Sequence, residues 1–162
     1  MQTPPDSERN LLRHALATVA YRGAKALRGA PPGFGTLLIP NYPRTPVKIL
    51  AHVNDLFDWG LSIASGQQAW RDSTPQDWPV EVNRFFAALK SFDDYLAGCE
   101  PLHESPAQLL QGPVADALTH IGQLALLRRL AGHPIKGENY FNAQISAGSV
   151  GPNQPAPRRE FD

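Results

Sequence analysis

The sequence predicts an all-α protein: a four-helix bundle with a long crossover between its first and second helices and an extended C-terminal tail. Three observations predict it. Apolar residues recur at three- and four-residue steps in four segments of helical length. No stretch shows the two-residue alternation of a half-buried strand. Prolines cluster in the connections, where they stop helices instead of kinking them.

The first segment runs from Asp6 to Arg28, with Leu12, Ala15, Leu16, Val19, Ala20 and Leu27 on one face and Asp6 or Ser7 as its cap. Gly29 ends it, and Pro31, Pro32, Pro40, Pro43 and Pro46 punctuate the long connection that follows. The second segment starts between Pro43 and Pro46, because proline is tolerated in a first turn, and reaches Gln68. Its stripe of Leu50, Val53, Phe57, Leu61 and Ala64 is widened by Ile49, Leu56 and Ile63, so it is buried on more than one side. The third spans Pro79 to Ala97 through Val82, Phe85, Phe86, Leu89, Phe92 and Leu96, with Gly98 as its stop. A loop with His103 and a short turn from Pro106 to Gln111 lead to the fourth, which restarts at Gly112-Pro113 and runs to Ala131. Arg128 and Arg129 suit the negative end of that helix, and Gly132 closes it. The remainder packs on the bundle or on a partner subunit: Lys136 to Phe141 is compact and aromatic, and Gly148 to Glu160 reads as an extended arm.

With 162 residues the chain suits one domain over 1–162, its core at about 6–132 and its C-terminal segment at 133–162. Lys+Arg and Asp+Glu both total 15, a balance that argues against nucleic acid or an anionic membrane as a partner. The same lack of net charge offers little resistance to self-association. Cys99 is the single cysteine, so no internal disulfide and no cysteine-based zinc cage can form. Met1 to Asn10 is polar, without the apolar core of a signal peptide, and no run approaches the ~18 apolar residues of a membrane span. A cytoplasmic address is expected.

Asp116 and His120 stand four apart on the fourth helix, so their side chains lie one above the other and can chelate one ion. Their helical neighbours Pro113, Leu124 and Leu127 are apolar, which points the pair toward protein. His52 has the same setting between Ile49 and Leu56. Two imidazoles and a carboxylate suffice for a divalent metal, zinc or nickel first, with manganese or iron(II) as alternatives. Spacing alone also fits hydrogen-bonded core histidines and a chance Asp/His pair. Glu138 is a candidate general base or further ligand; Lys136, Arg128 and Arg129 are candidates to receive an anionic group. Trp59, Trp70 and Trp78 either line a pocket or pack at the bundle edge, and His14, His103 and His133 read as surface or cap residues. There is no P-loop, no G-x-G-x-x-G after a strand and no G-x-S-x-G.

The segment Ile49-Leu50-Ala51-His52-Val53-Asn54-Asp55-Leu56 resembles the second-helix histidine segment of the DinB/YfiT-like superfamily. Asp116-Ala117-Leu118-Thr119-His120-Ile121-Gly122-Gln123-Leu124 resembles its fourth-helix segment, H-x-x-x-H-R-G-Q. The resemblance covers about residues 6–132 in matching helix order. It implies a four-helix bundle, frequently dimeric, with a metal held by His52, Asp116 and His120. Asp116 stands where the pattern has a histidine and Ile121 where it has arginine, while Gly122 and Gln123 remain. Gly122 is expected to allow close packing or room near the site, and Gln123 to orient a ligand. The function expected from this is a metal-dependent transferase, isomerase or hydrolase. It activates water or a low-molecular-weight thiol against a small-molecule substrate and works as a homodimer. The alternative is a non-catalytic bundle that serves as a binding or stress-associated interaction protein.

Overall fold

Asp6 begins the first helix, its carboxylate accepting the backbone N–H of Arg9 at 3.1 Å. A computed structural model describes residues 6–161; the polar stretch Met1–Pro5 and the terminal Asp162 lie outside them. Helix α1 spans Ser7–Leu27, α2 Pro46–Ala64, α3 Trp78–Ala97, α4 Pro106–Leu109 and α5 Ala115–Leu130. The described residues are thus mostly helical, with a small sheet of β1 (Gly137–Glu138) and β2 (Glu160–Phe161) paired antiparallel. No helix among the described residues is long and apolar enough to cross a membrane.

The principal helix contacts form a ring: α1 touches α3 and α5, and α2 touches the same two. Inside it lie Leu16, Ile49, Leu50, Phe57, Phe85, Leu89, Phe92 and Leu124, all fully buried. Phe57 and Phe85 meet edge to face at 5.8 Å. The wide apolar stripe of α2 has its reason here, since it faces α3, α5 and the turn Phe34–Thr36 at once. Across α1 and α3, Arg13 grips the buried Asp93 with two hydrogen bonds of 2.9 and 3.0 Å.

Two helix boundaries differ from the sequence expectation. Helix α2 stops at Ala64, not Gln68, because Gly66 adopts φ +82 and the N–H groups of Gln67 and Gln68 turn back to the Ser62 carbonyl. The fourth long helix does not restart at Pro113. The chain is already helical from Pro106, passes Leu110–Val114 as one wide π turn, and continues into α5. Proline lacks the N–H that a tight turn would use, and the wider turn absorbs it. Pro113 packs toward Gly60 of α2, where an added Cβ would stand 2.7 Å from Phe92 and 3.1 Å from Pro113. Gly60→Ala is therefore expected to lower stability by about 1 kcal/mol net, crowding outweighing the gain in helix propensity. Urea denaturation checks this.

The tail folds back onto its own chain. Val150 is buried in the core, Asn139 N–H donates to the Arg159 carbonyl, and Gly137 lies opposite Phe161. The segment read as an extended arm is irregular through Arg159, and only its last residue, Glu160, joins Phe161 in the short strand β2 that pairs with β1 near α1.

Candidate metal centre

His52 sits on α2, and Asp116 and His120 sit on the first turns of α5, just after the π turn. The contact of α2 with α5 brings them together. Each offers a ligand atom, and these atoms all lie within 4.8 Å of one another. His120 Nε2 is 3.3 Å from Asp116 Oδ1, and His52 Nε2 is 3.9 Å from Asp116 Oδ2. Ligand atoms of a tetrahedral site with bonds of about 2.1 Å lie about 3.4 Å apart, so modest side-chain rotation closes the group on one ion. The two imidazole rings are edge to face, 4.8 Å between centroids.

The cluster is not inward-facing as its apolar neighbours suggested. Pro113, Leu124 and Leu127 are buried, but Asp116 itself keeps 48% side-chain exposure, against 22% for His52 and 13% for His120. It opens at the edge of the α2–α5 contact, so Asp116 carries little of the desolvation penalty a buried carboxylate would demand a cation to relieve. Burial lowers the pKa of His52, with the charges of His120 and Arg44 acting the same way, while Asp116 and Asp55 oppose them. The net effect favours the neutral imidazole, the form that donates a lone pair.

Gln123 Oε1 lies 2.8 Å from His120 Nδ1. With the proton on Nδ1, that contact leaves Nε2 bare and aimed at Asp116, which is how an outer partner fixes a ligating histidine. Gly122 does not match its expectation. A Cβ there would meet nothing within 4 Å, so neither close packing nor room at the site requires it.

Glu138 is a second correction. It is a buried group bound elsewhere, accepting from Tyr21 at 2.6 Å and from Lys25 at 2.8 Å. It ties the β1–β2 ladder to α1 and stands outside the His52, Asp116 and His120 group. Burial and the Glu138 contact raise the Tyr21 pKa, so the phenol stays a donor. Arg128 is also spoken for, its guanidinium spent on backbone carbonyls, which leaves only Lys136 and Arg129 exposed.

The three tryptophans divide. Trp78 packs on Phe34 at 5.2 Å, an ordinary edge contact. Trp70 reaches His52 at 5.7 Å and Trp59 at 5.8 Å, forming an aromatic chain that ends at the cluster. No helical spacing links Trp70 to His52, because Trp70 lies in the irregular segment after α2. Beside it, Arg84 binds Asp55 and Asp58 at 2.5 and 2.8 Å, a network that sequence reasoning missed because its members come from two helices.

No protein-family model, curated protein or solved structure matches this chain. Fold and site define a mostly helical protein with a His/Asp/His group able to hold a metal.

Proposed function

We propose that this chain is a metal-dependent enzyme on a DinB-like four-helix bundle, holding a divalent metal between His52, Asp116 and His120. The observation that carries the reading is the convergence of three ligand atoms from α2 and α5 within 4.8 Å. Two further features support it: Gln123 Oε1 lies within hydrogen-bond distance of His120 Nδ1, and the π turn just before Asp116 packs against α2. Two imidazoles with one carboxylate fit zinc or nickel, and manganese or iron(II) less closely. Such an ion, when bound, lowers the pKa of a coordinated water or thiol near neutrality. Around it the chain supplies neutral His52, a carboxylate that reduces the charge of the site, and an open edge where a small substrate enters. The thiol co-substrate and the homodimer belong to this reading through the resemblance of the two helix segments.

The test is metal content. Zinc titrated into chelator-stripped protein is expected to bind one ion per chain and raise the melting temperature. His120→Ala and Asp116→Ala are expected to abolish stoichiometric binding, and Gln123→Ala to weaken it about tenfold or more. A protein that binds no ion, or variants that bind as well as the parent, would sink the proposal. The exposure of Asp116 favours a second reading, a non-catalytic bundle with a degraded site. Absence of metal with unchanged folding in all three variants is its signature.

A further inference from the structure

Along α2, on the side of His52 toward the helix C-terminus, runs a cleft of about 760 Å³ lined by Asp55, Asp58, Trp59, Ser62, Arg71 and Arg84 among others. It has the size of a small-molecule site. Asp55 and Trp59 follow His52 by three and seven residues, so they share its face, and Trp59 stands about 10 Å along the axis from it. Trp70 spans the interval, edge-on to both His52 and Trp59. Trp70 thus stands between the cluster and the tryptophan that lines the cleft.

The inner wall carries unbalanced negative charge. One guanidinium, Arg84, serves two lining carboxylates, Asp55 at 2.5 Å and Asp58 at 2.8 Å, and also the buried Glu81 behind the wall at 3.5 Å. Asp55 spends its second oxygen on the Ser73 N–H. Asp58 has 57% side-chain exposure and, among the described residues, no partner on its other oxygen, Oδ1. Arg71 and Asp72 are adjacent and exposed at the rim, where their charges offset each other. A tryptophan and a carboxylate with a spare oxygen, both lining one cleft of net negative charge, are groups that recognise an ammonium ion.

We infer that this cleft binds the ammonium end of a primary amine, with Trp59 against the cation and Asp58 as its carboxylate partner. Where the cleft serves the proposed metal enzyme, the substrate carries its amine about 10 Å from the reacting group. That last step rests on the metal reading; the binding itself does not.

Phenethylamine, phenethyl alcohol and 3-phenylpropionate are probes of one shape and three charges. They are titrated into ¹⁵N-labelled protein kept metal-free with chelator. Phenethylamine is expected to give saturable shifts at the Trp59 indole and at Ser62 and Arg71, with the alcohol about tenfold weaker and the acid weaker still. Asp58→Asn and Trp59→Leu, each confirmed as folded by circular dichroism, are each expected to weaken the amine by about fivefold or more. Equal binding of all three probes, no saturable shift, or full amine affinity in both folded variants overturns the inference. Because no metal is present, failure here is distinct from failure of the metal reading.

Discussion

Replacing Arg84 with alanine is expected to lower the unfolding free energy by about 3 kcal/mol. The change leaves Asp55 and Glu81, 5% and 1% exposed, without their counter-charge. Glu81 would keep the N–H groups of Gln76 and Asn54, and Asp55 that of Ser73, which limits the loss to the low end for a broken buried pair. Burial pulls the Arg84 pKa down, yet hydrogen bonds to Asp55 and Asp58 reverse this, and the net shift is upward. The site prefers the cation, and no pH short of denaturation removes it. Arg84 also donates to Ser73 Oγ at 2.8 Å, holding the segment after α2 against both helices. Lysine cannot serve Asp55, Asp58 and Ser73 from one planar fork, so Arg84→Lys is expected to recover less than half of the stability. Urea denaturation reads both variants; an alanine variant within about 0.5 kcal/mol of the parent would show the network to be energetically idle.

That network marks where sequence reasoning stops. The stripes of α1, α2 and α3 were legible because a helical period repeats within one segment; most of their members are buried in the shared core, while Ala15, Leu61, Ile63, Val82 and Phe86 are half-buried against it. Asp55 lies in the α2 segment quoted for its histidine, but its partner Arg84 is on another helix and no spacing rule pairs them. Helix ends were read less well where backbone conformation, not periodicity, decides. Apolar character continues to Ala64, but the positive φ of Gly66 comes from the turn itself. Gly112-Pro113 looks like a start signal in every local respect. Only the packing of Pro113 against the α2 groove at Gly60 explains why a wide turn runs through it.

The candidate site shows the same division. An i,i+4 relation put Asp116 and His120 together, the apolar setting of His52 made it a candidate partner, and the resemblance joined it to them; their ligand atoms do meet. Exposure was not legible. Apolar neighbours on a helix say that a face is near the core, but a residue at the edge of that face, such as Asp116, opens to solvent. Glu138 was legible as a carboxylate near the last helix and not as the partner of Lys25 and Tyr21, which are more than a hundred residues earlier.

Arg128→Met is expected to cost about 3 kcal/mol, through backbone groups instead of charges. Arg128 was read as a complement to the end of its own helix, and it does donate to the His133 carbonyl at 3.0 Å. Its other donors seal α1: Nη1 reaches the carbonyls of Ala26 and Arg28 at 2.9 and 2.8 Å, and Nη2 that of Gly29 at 3.1 Å. These are carbonyls that a helix end leaves without partners, and the negative end of the α1 dipole supplies the attraction that no carboxylate provides. Burial lowers the Arg128 pKa, the expected cost of a guanidinium held by dipoles alone. Methionine fills similar volume but strands the buried Ala26 carbonyl, whereas Arg129→Met, on the exposed side, is expected to stay within about 0.5 kcal/mol. Hydrogen exchange separates this mechanism from general loss of packing. Protection should fall first where the C-terminal turn of α1 meets the connection to α2, while the centre of α3 keeps its protection until global unfolding.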